Sequence, residues 1–156
     1  MIRPANRKDV PKIAELIRAL AEYERLAHAV TFEERDLDEH LFGSKRYAEV
    51  LLAEDAGEVV GFALFFHNYS TFRAKPGIYL EDLFVQPEKR GRGHGKALLI
   101  ALARLAVERG CSRLEWAVLN WNEPAIGFYR SLGAVPMNEW TVYRLTDDAL
   151  TNLARA

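Results

Sequence analysis

Among 156 residues the chain has one cysteine, Cys111. A lone thiol cannot close an internal disulfide, and no Cys/His spacing suits zinc, so neither a disulfide framework nor a metal centre is expected. Charge of one sign is also missing: 21 Lys and Arg stand against 22 Asp and Glu, a formal net charge of −1. That balance gives no global drive toward nucleic acid or a membrane surface. No apolar run is long enough to span a bilayer, and Met1-Ile2-Arg3-Pro4 lacks the apolar segment of a signal peptide, so a cytoplasmic location is expected. The three tryptophans, Trp116, Trp121 and Trp140, have no basic aromatic stripe beside them and do not suggest a base-stacking platform. There is no internal repeat or low-complexity tract.

What is present is a hydrophobic content of 49%, enough for one compact domain over residues 1–156. Ile2 to Ala5 is a short strand candidate. Asn6 can cap a helix with apolar positions at Val10, Ile13, Ile17, Leu20 and Tyr23, ending near Leu26. Thr31 and Glu34 have capping-box spacing for a second helix that Gly43 closes. Tyr47 to Ala53 and Val59 to Phe66 flank Asp55-Ala56-Gly57-Glu58, which is a hairpin signal. Asn68 to Gly77 reads as a loop. Beyond a strand at Tyr79 to Val85 and a long helix at Lys96 to Arg109, Leu114 to Leu119 forms another strand, and Ala125 to Ser131 a helix with Asn122 as cap and Pro124 in its first turn. Trp140 to Leu145 is a final strand candidate, and Asp147 to Ala154 a terminal helix. One strand–helix–strand crossover beside antiparallel pairs predicts an α+β fold with a mixed sheet.

The densest chemistry lies in Tyr79 to Arg109, a strand, a basic glycine-rich turn and a helix. Arg90-Gly91-Arg92-Gly93-His94-Gly95 has glycines on alternate positions, so backbone N–H groups can approach a ligand where the helix begins. A helix N-terminus attracts anions, and Arg90, Arg92 and Lys96 add positive charge. These features predict a bound phosphate or pyrophosphate. The magnesium-dependent GxxxxGKS/T loop does not fit, because Ala97 follows Lys96 and offers no hydroxyl. The dinucleotide loop fits poorly as well: the spacing is GxGxG rather than GxGxxG, and Glu115, 20 residues past Gly95, falls inside a strand. Glu81 and Asp82 interrupt an otherwise apolar strand. Because strand neighbours face opposite sides, at least one carboxylate is expected to point away from bulk solvent or into a cleft.

The turn also matches the Q/R-x-x-G-x-G/A motif, and the chain resembles the GNAT superfamily of acetyl-CoA-dependent N-acetyltransferases. Tyr79-Leu80-Glu81-Asp82-Leu83-Phe84-Val85 and Trp121-Asn122-Glu123-Pro124-Ala125-Ile126-Gly127-Phe128-Tyr129 resemble the diamine (spermidine/spermine) N-acetyltransferase branch, as do Ile2-Arg3-Pro4-Ala5 and Ala21-Glu22-Tyr23-Glu24. The resemblance implies a mostly antiparallel mixed sheet splayed in a V between the strands at Tyr79 and Leu114, flanked by helices. It implies that acetyl-CoA is held by Leu83, Phe84 and Val85 along its pantetheine arm and by Arg90, Gly91, Arg92, Gly93, His94, Gly95 and Lys96 at its pyrophosphate, with Asn122, Pro124 and Tyr129 as further contacts. Direct attack by a primary amine requires loss of an ammonium proton, pKa about 10.4, while a leaving thiolate, about 8.5 as a free thiol, benefits from gaining one. By resemblance Glu81 is the general base and Tyr129 the general acid. Cys111 has no neighbouring histidine to activate it and is not expected to carry the acetyl group.

The same resemblance implies a homodimer and an amine site that includes Tyr23, Glu24, Glu81 and Asp82. Glu115, Trp116, Glu139 and Trp140 could extend it as an acidic and aromatic path for a cationic acceptor. One stretch departs from the branch: Thr71 stands where an acidic residue is expected and Phe72 where a tryptophan is, with Arg73 and Lys75 adding positive charge. A small polyamine, diamine or lysine-like amine suits this chain better than a long polycation. The alternatives are a protein or peptide N-acetyltransferase and a CoA-binding sensor without catalysis.

Overall fold

The computed structural model describes residues 1–156 and divides into two compact units, Met1–Leu119 and Asn120–Ala156. The first unit is built on five strands, β1 (Ile2–Pro4), β2 (Glu49–Asp55), β3 (Glu58–Ser70), β4 (Lys75–Val85) and β5 (Leu114–Trp116). They lie in the order β1-β2-β3-β4-β5, antiparallel except for the parallel β4–β5 pair. The expected mixed, mostly antiparallel sheet is therefore present. The β4–β5 pairing runs only from Ile78↔Leu114 to Leu80↔Trp116. From Glu81 onward β4 has no strand on that side, and this is where the sheet opens.

Alternation along β2 divides the core. Val50 and Leu52 join Ile13, Leu16 and Leu20 of helix α1 (Val10–Tyr23), Leu41 of α2 (Glu34–Phe42), Phe62 and Phe84 in one buried cluster. Leu51, between them, lies on the other face, where it lines a groove with Ala97, Ile100 and Leu105 of α3 (His94–Glu108). Strand and helices thus bury the residues their periods predict.

Several boundaries differ from the sequence reading. Helix α1 stops at Tyr23 because Arg25 takes a left-handed conformation, φ 62°, and the Leu26 N–H returns to the Ala21 carbonyl at 2.7 Å. The capping box of α2 is formed by Glu33 and Asp36 rather than Thr31 and Glu34, since each side chain accepts the other's backbone N–H. The hairpin turn is where it was expected, with positive φ at Ala56 and Gly57. The stretch Asn68–Gly77 is mostly strand: β3 and β4 pair out to Ser70↔Lys75, leaving a four-residue turn. A long antiparallel partner supplies hydrogen bonds that outweigh the weak local propensity.

The second unit holds α4 (Glu123–Ser131) and α5 (Asp147–Ala154). Trp140 to Leu145 forms no strand, in contrast to expectation, and β5 ends at Trp116 rather than Leu119. The β-prone run at Trp140 lies in a unit with no other strand, and an isolated strand has no ladder to join.

Candidate active site

Strand β4 has a bulge at Glu81. Leu64 pairs with Asp82 and Phe65 with Leu80, so Glu81 is the extra residue. The inserted residue interrupts the alternation of the strand. Tyr79, Asp82 and Phe84 register with Phe66, Leu64 and Phe62 of β3, and Phe62 and Phe84 belong to the buried cluster under α1. Glu81 is exposed and Asp82 half-buried, and the charge of Glu81 is close enough to act on the Asp82 carboxyl.

The electrostatic consequence falls on Asp82. Its carboxyl is pushed up to about 6, first by burial and then by the charges of Glu81 and Glu24. Glu24 caps the C-terminus of α1 and is half-buried, and burial raises its carboxyl as well. The Tyr79 phenol is raised by burial and by Glu81 and Glu115. Glu115 lies opposite Tyr79 in the parallel pair, accepts from Asn68 Nδ2 at 3.1 Å and is 2.9 Å from Arg113 Nε. Trp116 is the half-buried partner of Leu80. Carboxylates beside an apolar wall favour a cationic guest.

Beyond Val85 the chain leaves the sheet through a 3₁₀ turn at Pro87–Lys89 and enters the glycine-rich turn. Gly91 and Gly93 have φ of +77° and +84°, and an added Cβ at either meets nothing within 4 Å. His94, Gly95 and Lys96 form the first turn of α3, where no carbonyl precedes their N–H groups within the helix. Left-handed glycines on either side of Arg92 form a concave row of donors at the start of α3, open on its outer side, which fits a phosphate group.

The basic side chains around this turn do different things. Arg90 turns inward: its Nε donates to the Val85 carbonyl at 2.9 Å, and its guanidinium carbon lies 4.5 Å from the Tyr23 ring centre and 5.3 Å from that of Phe84. It braces Tyr23, whose ring centre is 6.5 Å from that of Phe84, against the exit of β4. Arg92 and Lys89 both reach one oxygen of Asp55, at 3.0 and 3.4 Å. The Lys89 hydrogen bond leads the causes that hold the Asp55 carboxyl below its usual range. The sequence reading did not single out Asp55, whose one local signal was its place in a hairpin turn. Lys96 is exposed on the first turn of α3.

In the second unit, Asn122 caps α4 and its Oδ1 accepts from the Ala125 N–H at 3.4 Å, with Pro124 in the first turn. Tyr129 lies near the end of α4, its ring centre 5.7 Å from that of Phe128. Glu139 and Trp140 come next in a turn closed by the Trp140 N–H on the Met137 carbonyl.

The acetyltransferase (GNAT) family profile matches residues 13–134. The chain belongs to the GNAT family. It is 40% identical to a cattle (Bos taurus) thialysine N-epsilon-acetyltransferase over 99% of this chain and 96% of that protein. It is 36% identical to an Arabidopsis thaliana L-ornithine N5-acetyltransferase over 96% and 85% of the two. A human spermidine/spermine N(1)-acetyltransferase-like protein is 31% identical over 98% of this chain and 23% of its own length. Among solved structures, an integron cassette protein from the mobile metagenome of V. cholerae superposes with a TM-score of 0.83, at 27% identity and 100% and 98% coverage. These relatives fit the diamine acetyltransferase branch, and this GNAT chain is an N-acetyltransferase.

Proposed function

We propose that the protein transfers an acetyl group from acetyl-CoA to the primary amine of a small cationic acceptor, of the diamine, ornithine-like or lysine-like class. The observation that carries this reading is the adjacent pair Glu81 and Asp82 at the β4 bulge, with the Asp82 carboxyl raised by burial, Glu81 and Glu24. A dicarboxylate of this kind attracts an ammonium group and takes a proton from it. The thialysine and ornithine acetyltransferases among the relatives support the acceptor class.

Acetyl-CoA supplies an activated thioester. Arg90 to Lys96 would hold its pyrophosphate, with backbone N–H groups of the turn as donors, and the open edge of β4 from Glu81 to Val85 would take the pantetheine arm on backbone of Leu83, Phe84 and Val85. Asn122 and Pro124 would add contacts from the start of α4. Glu81 accepts the proton that the acceptor ammonium must lose before attack. Tyr129 donates its hydroxyl proton to the departing sulfur as the carbon–sulfur bond breaks. To the acceptor side we assign Tyr23, Glu24, Asp82, Glu115 and Trp116 of the first unit and, by resemblance to the branch, Glu139 and Trp140. We propose one catalytic domain over residues 1–156, supported by a family match that runs across the boundary at Leu119, and a cytoplasmic homodimer as in the branch it resembles.

The test is an acceptor screen of diamines, polyamines, basic amino acids and peptides with acetyl-CoA, repeated with Glu81→Gln and Tyr129→Phe. Small amines are expected to turn over, and each variant to lose roughly 100-fold or more in kcat. Turnover of peptides alone would overturn the acceptor class. Full turnover in both variants would overturn the catalytic assignment.

A further inference from the structure

The sequence has many arginines and lysines near the glycine-rich turn, yet the contact that organises them is an acid from another part of the chain. Asp55 is the last residue of β2, at the turn into β3. One of its carboxylate oxygens, Oδ2, is 3.0 Å from Arg92 Nη1, 3.4 Å from Lys89 Nζ and 4.0 Å from His94 Nε2. His94 Nε2 is itself buried and has no hydrogen-bond partner. Three basic groups spread over six residues of the turn thus point at one atom.

The hairpin bearing Asp55 is tied to the same place by backbone. The β2–β3 register shifts between Ala53 and Glu54, leaving Val60 as an extra residue on β3. The Val60 carbonyl accepts from Gln86, the residue at which β4 leaves the sheet, at 2.9 Å. A bulge increases local twist and re-aims the strand beyond it. Here one end of the hairpin is held at Gln86 and its tip lies over residues 89–94.

We propose that Asp55 is a positioning residue for cofactor binding: it gathers Lys89, Arg92 and His94 so that the glycine-rich turn is formed before the pyrophosphate arrives. This rests on the reading of Gly91 to Lys96 as the pyrophosphate site. Without Asp55, Lys89 and Arg92 repel one another across a turn whose glycines allow many conformations, and ordering that turn becomes a cost of binding. The opposite possibility is that Asp55 competes with the incoming phosphates for the same cations. In that case its removal tightens binding.

The experiment is calorimetric titration of CoA, without turnover, into wild type, Asp55→Asn, Asp55→Ala, Arg92→Ala and the Asp55→Ala/Arg92→Ala pair, with a melting curve for each. Asp55→Ala is expected to weaken CoA roughly 3- to 5-fold, at the upper end of the range of a surface ion pair. Asp55→Asn, which can still accept hydrogen bonds, is expected to fall between it and wild type. In the Arg92→Ala background the further loss should shrink below about 2-fold, as coupled neighbours require. With S-acetylpantetheine, which lacks the pyrophosphate, the KM of Asp55→Ala should equal that of wild type. Unchanged or tighter CoA binding in Asp55→Ala overturns the proposal while leaving the pyrophosphate site intact. A wild type that fails to bind CoA overturns both.

Discussion

Asp82 is where side-chain chemistry and folding pull against each other. Its carboxyl is raised from an ordinary 3.8 to about 6 by burial and the nearby charges of Glu81 and Glu24. Between those values the folded state holds a proton that the unfolded state has released, so this group's contribution to stability falls as pH rises through that window and stays lower above it. Asp82→Asn removes the ionisation. The variant should melt higher than wild type at a pH of about 8 and gain less, or nothing, at about 4.5, as read by paired melting curves. Activity should change the other way: the rise of wild-type kcat/KM through pH 6 should flatten, and KM for the amine should increase roughly 10-fold with the lost charge. Equal melting gains at both pH values would show that Asp82 packs rather than titrates. In the sequence, Glu81 and Asp82 stand out together as acids in an apolar strand. That a bulge falls between Leu80 and Asp82 could not be read there, because a bulge is defined by the register of the opposite strand, and Leu64 and Phe65 lie some 16 residues away in the chain.

Among the elements, the glycine-rich turn was the most legible from sequence. Its signal is local: alternate glycines, flanking bases and the start of a periodic helix occupy consecutive positions. The conformation agrees, with Gly91 and Gly93 left-handed and nothing where a Cβ would go. Gly93→Ala is therefore expected to cost about 1 kcal/mol from backbone strain at φ +84°. The same methyl would enter the open side of the turn, so CoA affinity should fall by about 10-fold or more while the melting temperature drops by only a few degrees. Calorimetry and a melting curve on the same sample check both numbers, and a large melting loss with unchanged affinity would place the glycine's role in folding alone. Arg90 shows the limit of the local reading. Its charge was visible, but its direction was set by Tyr23 and Phe84, which come from α1 and β4. The loop assigned to Asn68–Gly77 failed for the same reason, since Ser, Thr, Pro and Gly composition says little about a segment that has a full-length antiparallel partner.

For the whole molecule, the family match runs over residues 13–134 and crosses the boundary at Leu119, and the remaining question is assembly. The homodimer proposed above can be tested directly. Sedimentation equilibrium at micromolar concentration should accordingly return twice the 17.7 kDa chain mass. A species of chain mass with full turnover would rule the dimer out as a requirement for activity. The one strand that sequence predicted and the chain did not form, Trp140 to Leu145, bears on the same question. Aromatic and β-branched residues mark it as strand-forming, but propensity cannot supply a partner, and α4 and α5 offer none.

By itself the sequence determined what depends on neighbours along the chain: the helices of unit one to within a few residues, the Ala56-Gly57 turn, the glycine-rich turn, and the blocks that resemble the diamine branch. Tertiary structure decided what depends on strand register and on approach between distant segments. Register put a bulge at Glu81, beside the half-buried Asp82, and the Val60 bulge brought Asp55 to Lys89, Arg92 and His94. The physical reason is that periodicity and capping are written in short-range spacing, whereas a bulge or a shared counter-ion exists only once two strands have paired.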